Sequence, residues 1–208
     1  MKRLLIGSVA CAMLSFLGLA LPPQAHAENT IYNTSLPSIV RVAIRENNSS
    51  GQPDPRGRII WVQTVPFEQY CEDVLPNEWM PSWHPESLRA GAMAIKMFAW
   101  YHHLHPVSID GFTFDVDNTV NFQTYRSWSR QTETNQAVES LRGYSYVKPN
   151  GEIIELNYRA GYREDPNWQY RNAQKMAQWG SQYWAERGRT YIQILQFYYA
   201  ERALRRVR

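Results

Sequence analysis

The chain has 208 residues and a formal net charge of +3, with 22 basic and 19 acidic side chains. Its balance is too even for a nucleic-acid reading based on charge, although Arg202, Arg205, Arg206 and Arg208 form a basic tail. It holds two cysteines, Cys11 and Cys71, too few for a disulfide framework.

Lys2 and Arg3, the apolar run Leu4 to Leu21 and the small-x-small site Ala25-His26-Ala27 read as a secretory signal over 1–27, with cleavage expected before Glu28. Its removal would take away Cys11 and bring the net charge to +1. After Leu21 no apolar run is long enough to cross a bilayer. The remainder suffices for one domain with a real core, or for two small lobes. An extended lead-in over 28–38, a domain over 39–203 and a basic tail over 204–208 divide it.

Val40, Val42 and Ile44 alternate as in a strand, the Asn-, Ser-, Gly- and Pro-rich stretch 46–58 is a loop, and 59–62 is a second strand. Pro66 opens a helix in which Phe67, Tyr70, Cys71, Val74 and Leu75 form an apolar stripe, with Glu68, Gln69, Glu72 and Asp73 opposite. Cys71 falls in the stripe and reads as a buried thiol. Pro76 and Pro81 are expected to break the helix. A largely apolar helix follows from Pro85 to about Leu104 and should be central to its domain.

Short strands are expected at 112–116 and 122–125, and a helix at 134–142. Strands 144–147 and 152–158 should form a hairpin about Asn150-Gly151. Two helices, about 172–187 and 191–203, would be divided by Gly188, the second capped by Thr190. Helices and antiparallel strands without regular alternation make the class α+β.

Eight tryptophans and thirteen tyrosines provide core bulk, or rings that stack on sugar faces. Glu78 lies in Pro-Asn-Glu-Trp-Met-Pro with Trp79 and Trp83 nearby. A carboxyl beside indoles loses hydration, which raises its pKa and keeps a proton to donate. Glycosidic cleavage needs such a donor, because an alkoxide leaves poorly. An exposed loop glutamate fits the same residues.

The stretch Val65 to Ala99 resembles the stage II sporulation protein D family, which includes the amidase enhancers: a proline-led helix, then V-L-x-x-E, then W-x-x-E-[AS]-L-[KR]-A. Met176-Ala177-Gln178-Trp179-Gly180, with Ile194-Leu195 and Tyr198-Tyr199, resembles the family's C-terminal signature, and Gln123-Thr124-Tyr125 part of its middle. The resemblance implies an exported lytic transglycosylase that cuts peptidoglycan glycan strands between N-acetylmuramic acid and N-acetylglucosamine, with Glu78 as the single acid and base. Trp79, Trp83, Arg89, Gln123, Tyr125, Gln178 and Trp179 would bind the glycan. Ordinary hydrolysis uses two carboxylates; Asp115 and Asp117 stand nearest to a second role and read as structural. The alternatives are a non-catalytic glycan-binding enhancer of a cell-wall amidase and a wall-remodelling scaffold.

No cofactor is implied. Some relatives bind zinc through Cys and His in the loop matching 115–124; this chain has neither there, and no metal is expected. His102, His103 and His105 share a helix end but point in different directions. Gly91 departs from the family's usual Gln, and the double-glycine segment is reduced to Asn157-Tyr158-Arg159-Ala160-Gly161.

Overall fold

A computed structural model describes residues 35–163, 174–200 and 202–206. The expected signal over 1–27 lies outside the described residues. Among the described residues no helix is long and apolar enough to cross a membrane.

The chain opens with an antiparallel pair, β1 (Ile39–Arg45) and β2 (Ile59–Pro66), in register from Ile39 opposite Pro66 to Ile44 opposite Trp61. The strand β5 (Val116–Asp117) joins β1 on its other side in parallel, so β1 is central. That parallel pairing needs a long crossover, and the helices α1 (Phe67–Glu78) and α2 (Pro85–Leu104) occupy it. The hairpin β3 (Val107–Ile109) and β4 (Phe112–Phe114) turns through Asp110-Gly111, both at positive φ (51° and 81°) as a tight two-residue turn requires.

The apolar stripe of α1 is buried as its spacing requires: Phe67, Tyr70, Cys71, Val74 and Leu75 all face the core. Burial pushes the Cys71 thiol up to about 12, so it packs as an apolar group. Asp73, expected on the polar face, is fully buried instead, with Arg130 Nε 3.6 Å from its carboxylate. The loop before α3 (Thr132–Ser140) covers it: Ser129 Oγ donates to the Asp73 carbonyl at 2.6 Å.

Pro76 does not break α1. The helix runs on to Glu78 and closes with Trp79 N–H donating to the Leu75 carbonyl at 2.8 Å. A proline costs most in a helix interior, where it removes a bond and crowds the preceding turn; Pro76 sits in the last turn, and Trp79 beyond it is locked into the core.

α2 packs against α1, α3, α4 (Gln178–Ala185) and α5 (Tyr191–Tyr198), the central position that its apolar sequence demands. His84 caps its N-terminus by accepting from Glu86 N–H. Lys96 is buried on α2, and its Nζ donates to the Leu141 and Arg142 carbonyls at 2.8 and 3.0 Å, just past the end of α3.

Three strand expectations are corrected. The Asn150-Gly151 turn forms, with Gly151 at φ 87°, but β6 (Tyr144–Val147) pairs with β9 (Ala203–Arg206) rather than with 152–158. Residues 152–156 form no strand and leave the β6 edge to another segment. Residues 203–206, expected as a helix end and basic tail, therefore complete a sheet.

Residues 122–125 form no strand, because their polar groups serve other partners described below. Of the helix expected over 172–187, residues 172–173 lie outside the described residues, β8 (Lys175–Ala177) runs parallel to β7 (Asn157–Arg159), and the helix follows from Gln178. Gly188 at φ 80° and Thr190, which accepts from Gln193 N–H, separate α4 from α5 as the sequence indicates. The class is α+β.

Candidate functional site around Glu78

Glu78 is the last residue of α1 and is half-buried. Its Oε1 accepts from the Thr124 backbone N–H at 2.7 Å. Gln178, the first residue of α4, donates from Nε2 to the Glu78 backbone carbonyl at 2.6 Å and to Oε2 at 3.3 Å. The carboxyl therefore sits where the end of one helix, the start of another and an irregular loop converge. Burial raises its pKa, against hydrogen bonds from Thr124 and Gln178 and the charge of Arg159, which oppose the rise. A carboxyl that keeps its proton at higher pH, but remains reachable, has the properties of a general acid.

Trp83 and Trp179 meet with ring centroids 4.7 Å apart, both partly exposed, and the Arg163 guanidinium lies 5.2 Å from the Trp179 ring. Trp179 is adjacent to Gln178, and its N–H donates to the Ala160 carbonyl at 3.1 Å. Trp83 also lines a cleft of about 250 Å3 with Arg89, Leu88 and Glu133. Within it Arg89 pairs with Glu86, whose other oxygen accepts from the Tyr191 N–H at 2.6 Å.

The other expected glycan contacts lie deeper. Trp79 is 1% exposed, so it cannot present its ring to a sugar. Its indole packs over Gly91, sits edge-on to Tyr158 at 4.9 Å, and donates from Nε1 to Ser181 Oγ at 3.0 Å. Gln123 is fully buried; its Oε1 accepts from Tyr70 OH at 2.9 Å and its Nε2 donates to Tyr158 OH at 3.1 Å. It is thus an anchor for the loop that delivers Thr124 to Glu78. Tyr125 is 2% exposed and stacks on Tyr70 at 5.5 Å, with only a small part reaching the surface.

Asp115 and Asp117 are both fully buried. Asp115 accepts from the Arg41 backbone and guanidinium and contacts His103 Nδ1 at 3.0 Å; Asp117 accepts from Arg45 Nε and from Thr119 N–H and Oγ1. They fasten β5 to β1, the structural role that their sequence suggests. The three histidines at the C-terminal end of α2 point apart, His102 to Glu155, His103 to Asp115 and His105, just past the helix, to the Tyr101 carbonyl.

Thr124, Ser181 and Arg163 escape sequence reasoning. Thr124 acts through its backbone, which carries no residue signature, and Ser181 through a contact with a residue 102 positions away.

Comparison with known proteins gives the following similarities. Residues 55–146 match the SpoIID family, described as stage II sporulation protein. An uncharacterized protein of Brachyspira hyodysenteriae is 34% identical over 103 residues, 49% of this chain and 27% of that relative. The amidase enhancer of Bacillus subtilis is 34% identical over 97 residues, 45% of this chain and 12% of the relative. The chain thus spans well under a third of either protein.

Over residues 55–146 the chain is thus similar to the SpoIID family, as its motifs suggest, and that similarity suggests a cell-wall-related role. Glu78 lies within the matched segment; Gln178 lies outside it and joins the site through the fold.

Proposed function

We propose that this chain is exported and cleaves peptidoglycan glycan strands as a lytic transglycosylase, with Glu78 as its single acid and base. The observation that carries this reading is the asymmetric hold on the Glu78 carboxyl. Oε1 is engaged by a backbone N–H at 2.7 Å, a donor that cannot turn away, whereas Oε2 has only the 3.3 Å contact from Gln178. The proton therefore belongs on Oε2, and burial favours its retention.

From Oε2 the proton passes to the bridging oxygen as the bond to C1 of the muramic residue breaks, and the neighbouring sugar leaves as an alcohol. The carboxylate then takes the proton from the C6 hydroxyl of the same residue while O6 bonds to C1. This closes a 1,6-anhydro ring and restores the acid. The step needs no second carboxylate, which is consistent with Asp115 and Asp117 being committed to Arg41 and Arg45. Trp83 and Trp179 supply an aromatic wall, Arg89 and Gln178 polar groups at its edges, and Gln123, Tyr125 and Trp79 support from behind.

A second reading has the chain bind glycan without cutting it and present the wall to an amidase. The name of the Bacillus subtilis relative supports it. So does the fact that both Glu78 oxygens already have protein partners, as a structural carboxylate would.

Mass spectrometry of glycan fragments separates the two, using the chain from Glu28 onward and purified cell walls. The enzyme reading expects anhydro-muramic ends from wild type, none from Glu78→Gln, and sedimentation with walls by both. Fragments that do not differ between the two proteins leave the enhancer reading.

A further inference from the structure

A second cleft, of about 340 Å3, opens where the β1–β2 loop meets residues 125–127. Such a volume is at the small end of ligand sites, which run from roughly 300 to 1,000 Å3. Trp61 lies in its wall on β2, with 58% of its surface exposed, directly opposite Ile44 in the β1–β2 register. An indole left open on a strand forfeits much of the stabilisation that burial would give it. Gln63, two residues on and hence on the same face of β2, lines the cleft as well.

The rest of the lining is amide-rich. Asn47, Gln52 and Asn118 join Gln63, and no carboxylate is present. The one charged group, Arg126, donates to Gln52 Oε1 across the cleft's edge. A cation would find no counter-charge here, and an anion only a guanidinium already in use. The surface instead suits a neutral ligand with an apolar face and a rim of hydroxyl and amide groups. A pyranose carrying an acetamido group has that form: its C–H face can lie on an indole, and its polar rim can exchange hydrogen bonds with side-chain amides.

We infer that this cleft is a binding subsite for an N-acetylated hexosamine unit, with Trp61 as its stacking platform and the amides of Asn47, Gln52, Gln63 and Asn118 as its polar rim. It is separate from the Glu78 carboxyl yet tied to it through the backbone: Thr124 N–H holds Glu78, and the next residue, Tyr125, lines the cleft. The inference rests on the peptidoglycan reading only for the polymer that carries the sugar. Binding here does not require Glu78 to act as an acid.

Calorimetric titration with a β-1,4-linked tetramer of N-acetylglucosamine tests it on the full chain. Wild type should bind, Trp61→Phe should keep most of the affinity, and Trp61→Ala should weaken binding on the order of tenfold, as removal of a central aromatic anchor does. Equal binding by Trp61→Ala and wild type overturns the subsite, as does absence of binding by wild type. In wild type the Trp61 indole N–H resonance should shift saturably with added tetramer; an unmoved resonance also overturns it, without relying on a variant. Failure of Glu78 as an acid would show separately, as anhydro products that persist in Glu78→Gln.

Discussion

Gln178 reaches across 100 residues of sequence to donate to Glu78 twice, to its backbone carbonyl at 2.6 Å and to its carboxylate at 3.3 Å. The first bond satisfies a carbonyl at the end of α1 that no helical partner can reach. The second favours the ionised carboxylate and holds its pKa down against burial. One side chain thus fixes the site's position and moderates its acidity.

Replacement of Gln178 by Leu separates the two effects. Loss of a buried hydrogen-bonding partner should cost about 1–3 kcal/mol, read by chemical denaturation. Loss of the donor to Oε2 should raise the Glu78 pKa further, moving the alkaline limb of the activity profile to higher pH even as the maximal rate falls. A profile that keeps its position while the rate falls would assign Gln178 to geometry alone.

The raised pKa of Glu78 makes a claim about stability as well. The folded state binds this proton more tightly than the unfolded chain, whose value is near 4.5. The ionised carboxylate is thus the disfavoured form in the fold, and its cost is absent below the unfolded pKa and grows as pH rises through the folded one. Thermal melts of wild type and Glu78→Gln should therefore diverge in favour of the variant as pH rises above the unfolded value of 4.5. A difference in Tm that is flat with pH would show that the carboxyl is not perturbed. Over the same range, cleavage by wild type should decline as the proton is lost.

Gly91 and Trp79 give a packing test. A Cβ at Gly91 would lie 2.5 Å from Cδ2 and 2.6 Å from Cε2 of the indole, well inside contact distance. Alanine gains about 1 kcal/mol over glycine in a helix interior, whereas overpacking of a fixed ring costs about 1–3 kcal/mol. The indole is fully buried and tied to Ser181, so it has little room to yield, and Gly91→Ala should destabilise on balance. Trp79→Leu added to Gly91→Ala should cost less than the sum of the two single changes. Denaturation midpoints of the four proteins measure this directly.

Lys96 offers a third titration. Burial lowers its pKa to about 8 from 10.5. Below pH 8 the fold carries the cost of the buried charge, and between 8 and 10.5 the unfolded chain binds the proton that the folded one has released. Stability from this group therefore increases across that window, by on the order of 3 kcal/mol in all. Lys96→Met, which cannot titrate, should lose ground to wild type as pH rises from 8 toward 10; parallel curves would place the lysine in a wetter setting.

The local features were legible in the sequence wherever a run of neighbours decides the outcome. Phe67, Tyr70, Cys71, Val74 and Leu75 define one helical face by spacing alone, and the Gly188 and Thr190 boundary follows from backbone freedom and a cap. The α+β class, the centrality of α2 and the family motif around Glu78 follow in the same way. Partner choice did not follow: Tyr144 to Val147 has the composition of a strand, but nothing nearby says that it pairs with 203–206 instead of 152–158.

The site itself required the fold. Trp79 and Trp83 look equivalent as neighbours of Glu78, yet one fills the core against Gly91 and the other meets Trp179 near the surface. Gln123 and Thr124 divide similarly, the side chain of one buried to hold the loop and the backbone N–H of the other committed to the carboxyl. Sequence fixes which groups can donate, accept or stack, because these are properties of single residues. Which of them are dry, and which face the same cavity, depends on contacts between segments as much as 100 positions apart, and only tertiary packing decides those.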